Sequence, residues 1–498
     1  MRTKLYLLGI AILIKFTLFL VLNYSSIFNE DPLVLYNLGG DASDYYESLD
    51  NLIDKGSYYF DDFNYSGRMP GMGLVYLPFR YFFSKHIALN IFIVVQTIIS
   101  ALACLYIYLI FRLLFNNKAL AQIGFICFTI CSYLSIYNNL FLTESLASSF
   151  TIISIYHILK YNNNENKYNL FYSGLFLSFS IFLRPFLILL VPIFAIGMIR
   201  NKRPKKIKAV HYLIFLSSFI IFDSIWLSRN YTINKKIIPL QSTIYKGLKF
   251  NYLMSSYFDF IKSFGGEYVV WQNGAALWFE SDEYAKKNGL KRPQFEEVFP
   301  SELKKQIDKK KMEKIRKLFL ALDTDNNPTT AVLYPKNTSS DVVMNSEQAD
   351  KISSFFDSEK QKYIENNPFH FYFVSRLRIL KRFIFQPYTY LHPNSFQTSI
   401  FFMKAYKILD YLLCFFTVIL GLLNLLIGVF TNWKYRSFMI VSISTLTFIL
   451  LFPIIFRSNE FRYFTSCFPF LFISSFTLID YLLKFRLKRQ SFMPIFKK

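Results

Sequence analysis

The chain has 498 residues, 53% of them hydrophobic and 19% aromatic, with a formal charge of +23. Its apolar residues gather in runs of about twenty, which excludes a soluble multidomain protein and leaves a polytopic membrane protein. The basic excess excludes nucleic acid as its cause, because it collects in the short segments on one side of the apolar runs, as the positive-inside pattern requires. The five cysteines (Cys104, Cys127, Cys131, Cys414, Cys467) all lie in apolar segments without a C-x-x-C pair. They read as packing residues, with neither a disulfide framework nor a zinc site indicated.

In chain order, the pattern predicts membrane helices near 4–24, 88–111, 119–138, 141–160, 168–184, 185–200, 209–228, 404–430, 437–456 and 462–483. The first follows a basic n-region, but its apolar run is longer than a signal h-region and no small-residue cleavage site follows, so it reads as an uncleaved helix. With the N-terminus inside, the pieces "RLLFNNK", "KYNNNENKY", "RNKRPKKIK", "NWKYR" and the C-terminal tail are cytoplasmic and mostly basic. The expected fold is therefore an all-α polytopic membrane protein with about ten transmembrane helices. A first outer loop (24–87) holds a surface helix, and a large outer region lies between helices seven and eight. The expected divisions are 1–232, 233–400 and 401–498. Within the large region, "SELKKQIDKKKMEKIRKLFLALD" reads as helical and amphipathic, and "NNPFHFYFVSRLRILKRFIFQPY" as an interfacial helix on the membrane surface.

The first outer loop contains "GGDASDYYESLDNLIDKG". Gly39 and Gly40 break the chain, Asp41 and Asp44 follow, Leu49, Leu52 and Ile53 keep helical spacing, and Gly56 ends the helix. On local grounds Asp41 is an N-cap worth about 1 kcal/mol, and Asp44 a solvated first-turn acid. Arg68 sits in a Gly- and Pro-punctuated turn, where it either chelates a phosphate at headgroup level or anchors the next helix. By the same topology Glu144, Arg184, Arg229, Glu460, Arg462 and Tyr463 face the same side. Acids handle protons and arginines hold anions, so this grouping suits an enzyme acting on a lipid-linked phosphate. Lys15 and Asp223 are ionisable groups inside helices; they pair, or Lys15 snorkels while Asp223 meets a water-filled pocket. His86, His370 and His392 lack ligand spacing, so neither a metal site nor a cofactor is expected.

Together, Asp41-x-x-x-Tyr45, "GRMPG", "LTESL", "LRP", "SRNY" and "EFRYF" resemble the bacterial branch of the GT-C glycosyltransferases, those similar to protein O-mannosyltransferases and aminoarabinose transferases. The likeness covers about 1–232 and 400–485. It implies an inverting transferase of the plasma membrane that takes a sugar from a polyprenyl-phosphate carrier on the extracytoplasmic side. The acceptor would be a hydroxyl of a lipid-linked glycan, a protein or a cell-envelope polymer. Asp41 matches the catalytic base by its distance to Tyr45, Arg68 the basic turn near the lipid phosphate, and Glu144 an acidic position opening a later helix, which stands with Asp41 as a candidate catalytic residue. Asp44, Tyr45, Arg184, Arg229, Glu460, Arg462 and Tyr463 would line the substrate site. Two departures stand out: Ala42 follows Asp41 where many members carry a second acid, and the acidic residue often found in the Pro turn is replaced around Arg68. A lipid-linked glycan flippase, or a polytopic ligase or polymerase, is the alternative. The first would show ionisable groups deep in several helices and repeat symmetry, the second a His or Arg in a large late loop.

Overall fold

The computed structural model describes residues 2–22, 34–38, 41–59, 68–115, 117–199, 204–241, 252–268, 274–287, 289–321, 347–385, 401–431, 436–458 and 460–492. Gly39, Gly40, Gly67 and His392 lie outside them, as does the side chain of Asp44. Among the described residues every regular element is helical, and the one extended pairing is an isolated bridge between Asn37 and Leu140.

The chain divides into two compact units, 1–242 with 387–448 and 462–498, and 243–386 with 449–461. In the first unit the helices are α1 (Arg2–Leu22), α2 (Ala42–Lys55), α3 (Gly73–Phe82), α4 (Lys85–Leu114), α5 (Lys118–Ile130), α6 (Ser132–Ser135), α7 (Glu144–Asn164), α8 (Lys167–Leu183), α9 (Leu190–Ile199) and α10 (Lys205–Asn234). Five described helical stretches are long and apolar enough to cross a membrane: Arg2–Leu22, Lys85–Leu114, Lys118–Ser135, Lys206–Ile233 and Lys404–Gly428. Pro185–Met198 and Met439–Ile455 are apolar but shorter. The first of these opens as a 3-10 turn, Pro185–Leu189, because Pro185 fits the first helical turn but cannot extend α8.

Small residues let these helices approach closely, as expected where lipid offers no hydrophobic drive between them. Gly174 of α8 lies against the Phe215 carbonyl of α10, where a Cβ would come within 1.9 Å. Helix α7 turns Ser145, Ser148, Ser149, Thr151 and Ser154 inward, all buried. Ser154 and Ser173 exchange hydroxyl-to-carbonyl bonds at 2.7 and 3.1 Å, which joins α7 to α8.

Lys15 corrects both readings of its sequence position. It neither pairs with Asp223 nor reaches water: fully buried, its ammonium donates to Ser135 Oγ at 2.8 Å and to the Cys131 carbonyl at 3.4 Å. Asp223 instead accepts from the Leu240 backbone at 3.4 Å.

The second unit has its own aromatic core, in which Tyr257, Phe260, Trp278, Phe279, Phe319 and Phe356 are buried. Its longer helices are α11 (Tyr252–Ser263), α12 (Lys309–Leu320), α13 (Glu347–Asn366) and α14 (Ser375–Phe385). The stretch read as helical over 301–323 forms two helices: Ser301–Gln306 ends at Ile307, and Asp308 restarts the chain by accepting from the Lys310 amide at 3.3 Å, while 322–323 lie outside the described residues. The stretch 370–385 is helical, a π-turn (His370–Val374) running into α14, with Phe369, Tyr372, Phe373 and Leu377 exposed. The first unit closes with α15 (Phe401–Thr431), α16 (Arg436–Leu450) and α17 (Phe468–Phe492).

Candidate functional site

The site is built around the start of α2. Asp41 occupies the N-cap position, but its side chain makes no capping bond, which overturns the local reading. Its Oδ2 instead meets Arg462 Nη1 at 2.6 Å and Arg68 Nη2 at 3.3 Å. Leu49 packs α2 inward, and Gly56 ends the helix at φ 71°, a conformation open to glycine at no steric cost.

The turn that brings Arg68 follows from one glycine. Gly71 lies so close to the Phe182 carbonyl that a Cβ would come within 2.3 Å, and so the turn is pressed onto the last residues of α8. The next residue is Arg184. Arg68 lies over the Tyr45 ring at 4.9 Å, so Tyr45 backs the arginine rather than Asp41 directly.

Arg184 pairs with Glu144 in a buried ion pair and donates from Nε to Thr143 Oγ1 at 3.0 Å. Tyr463 links this pair to the first one: the Arg184 and Arg462 guanidiniums lie 5.5 and 5.6 Å from its ring centre, and Phe186 meets it edge-on. On the other side Arg229 donates to the Tyr58 carbonyl at 2.5 Å and lies over Trp226 at 4.8 Å, while the Tyr58 hydroxyl donates to the Arg68 carbonyl at 3.1 Å. Burial raises the Tyr58 hydroxyl pKa against the opposing charge of Arg229, so it stays a neutral donor.

Asp41, Tyr45, Arg68, Glu144, Arg184, Arg229, Arg462 and Tyr463 thus form one connected group. Four arginines stand against two carboxylates, a net positive centre suited to an anion. Exposure grades along it. The side chains of Arg68, Asp41 and Arg462 are 19%, 11% and 27% accessible, against 1% for Glu144 and 7% for Arg184. The Asp41 end is the end a ligand can reach. Glu460 belongs to the second unit, where it acts electrostatically on Lys262.

Sequence reasoning missed Thr143, Tyr58 and Trp226, whose roles depend on contacts across the fold. It also missed Gln96, whose side-chain amide donates to the carbonyls of Tyr137, Asn138 and Leu140 at 3.0–3.1 Å and fixes the loop leading to Glu144. A lone glutamine inside an apolar helix was the available signal.

Residues 72–226 match the family model described as dolichyl-phosphate-mannose-protein mannosyltransferase. No curated protein matches the chain. The matched stretch holds Glu144 and Arg184 and stops just before Arg229. The family is one of integral membrane glycosyltransferases of the GT-C superfamily, in agreement with the resemblance read from the sequence and with the apolar helices.

Proposed function

We propose that this membrane glycosyltransferase of the GT-C type moves a sugar from a polyprenyl-phosphate carrier to an acceptor hydroxyl on the extracytoplasmic face of the plasma membrane. The acceptor is a lipid-linked glycan, a protein or a cell-envelope polymer. The observation that carries this reading is the Asp41 carboxylate held between Arg68 and Arg462 at the accessible end of an arginine-rich group.

The acceptor oxygen attacks C1 of the sugar, the bond from C1 to the phosphate oxygen breaks, and Asp41 takes the hydroxyl proton. The lipid phosphate leaves with the electron pair, stabilised by the guanidiniums. One displacement inverts the anomeric centre; a retaining route would need a carboxylate nucleophile as well. A carboxylate clamped by arginines is a poor base at rest, because nearby cations favour its ionised form. An arriving phosphate competes for those same donors, and so donor binding frees Asp41 for proton transfer. Glu144, buried and bound to Arg184, orients that arginine rather than handling a proton. In this reading the membrane part carries about ten spans, all of these site groups face outward, and the chain divides as 1–232, 233–400 and 401–498.

The test is purified protein in lipid nanodiscs with a labelled polyprenyl-phosphate sugar. Acceptor-dependent release of polyprenyl phosphate is expected. Translocation of intact donor in vesicles, without bond cleavage, would contradict the reading.

A further inference from the structure

We propose that Cys131, Asp410 and Cys414 form a site for a thiophilic divalent cation of the zinc type, set where α1, the α5–α6 break and α15 meet. One ligand atom from each residue lies within 4.8 Å of the others, and the two sulfurs are 3.4 Å apart. A cation with bonds of about 2.3 Å to sulfur and about 2.0 Å to oxygen spans such gaps with little movement.

The local structure explains why these atoms converge. Asp410 and Cys414 are one turn apart on α15, so they share a face. Cys131 lies between α5 and α6 with extended backbone (φ −64°, ψ 125°), and the helix is interrupted there. Asp410 accepts the Ser132 amide at 2.9 Å on one oxygen and the Ser132 hydroxyl on the other. Such outer contacts orient a ligating carboxylate, and each oxygen keeps a second lone pair for a metal.

Charge completes the argument. Two thiolates and a carboxylate around a dication sum to one negative charge, which is costly in a buried setting. Lys15 supplies the balancing positive charge: its buried ammonium bonds the carbonyl of Cys131 itself and has no ion-pair partner among the described residues. A disulfide would use only the two sulfurs and would draw on neither Asp410 nor Lys15. Binding displaces two thiol protons to solvent and pins α15 to the segment that runs on to Glu144. It does not depend on the identity of the sugar donor.

The experiment uses reduced, full-length protein in detergent, dialysed against Zn2+ and, separately, Co2+. About one cation per chain is expected, with a thiolate-to-cobalt charge-transfer band. Cys131→Ser and Cys414→Ser should abolish the band, Asp410→Asn should weaken binding by at least about tenfold, and Cys104→Ser and Cys467→Ser should change nothing. Should the cysteine variants fail to fold, peptide-mapped alkylation of the wild type decides: Zn2+ should protect Cys131 and Cys414 selectively. Absence of a band in reduced wild type, equal alkylation with and without Zn2+, or a Cys131–Cys414 disulfide in unreduced protein would each overturn the proposal.

Discussion

Helix α2 carries two acid–arginine groups, one at each end. At its C-terminal half, Asp50 accepts from the Tyr76 hydroxyl at 2.8 Å and Arg80 at 2.9 Å and pairs with Lys85 at 3.2 Å, while Asp54 takes the other arm of Arg80 at 2.8 Å. At its start, Asp41 meets Arg68 and Arg462, the latter 421 residues away in sequence. Burial does not separate the two groups: Asp41 and Asp50 are both 11% accessible. Reach does. The Asp50 partners all come from α3 and the start of α4, and together they staple one loop to its neighbouring helices. The Asp41 partners come from opposite ends of the first unit and connect onward to Arg184 and Glu144. A group that gathers distant chain segments around one carboxylate is what a site requires, and a group closed within one loop is what a staple requires.

Substitutions at five positions break or sharpen that contrast. The largest expected effect lies at the buried end of the site: Arg184→Ala leaves Glu144 uncompensated and should cost about 3–5 kcal/mol in stability, measured by denaturation in detergent. Adding Glu144→Gln should recover part of that loss, since the two changes share one interaction. Next, Arg462→Ala should raise the KM for donor by about 10- to 100-fold, equal to about 1.4–2.7 kcal/mol, with Lys rescuing only in part because it lacks the planar fork. Full rescue by Lys would mean a diffuse field instead of a defined contact. In the staple, Tyr76→Phe removes one bond to a carboxylate and should lower stability by about 1–2 kcal/mol while leaving kcat per folded molecule unchanged. The smallest effect belongs to Asp54→Asn. Its carboxylate is 52% exposed, so the change should cost less than about 1 kcal/mol and shrink further in high salt.

The sequence carried the all-helical class, because apolar runs of membrane length are the strongest pattern a chain can show, while five described helices, against the ten expected, are long and apolar enough to span. Its motif order resembles a family whose model matches residues 72–226. Apolar length alone, however, could not describe α7, whose serine face is buried by protein rather than lipid. The stretch read as helical over 301–323 is helical over Ser301–Gln306 and Lys309–Leu320, with a break that the Asp308 cap sets locally. At the site, the choice of Asp41, Arg68 and Arg462 was legible as charge at the ends of apolar runs, but their pairing was not, because no local pattern encodes a contact across 421 residues. The same limit hid the cysteines. Cys131 and Cys414 read as packing residues, and only the fold sets them 3.4 Å apart beside Asp410.

The central claim is that Asp41 takes a proton and Asp50 holds structure. Single-turnover sugar transfer at saturating donor, measured with thermal stability for Asp41→Asn and Asp50→Asn side by side, tests it most directly. Since the Asp41 side chain makes no capping bond, the Asn variant loses ionic contacts but no cap, and it should fold. The account predicts a rate lower by about 100-fold or more for Asp41→Asn with the fold retained. For Asp50→Asn it predicts a lowered melting temperature and a rate per folded molecule near wild type. A wild-type rate in Asp41→Asn, or a collapse of rate in Asp50→Asn without loss of stability, would contradict it.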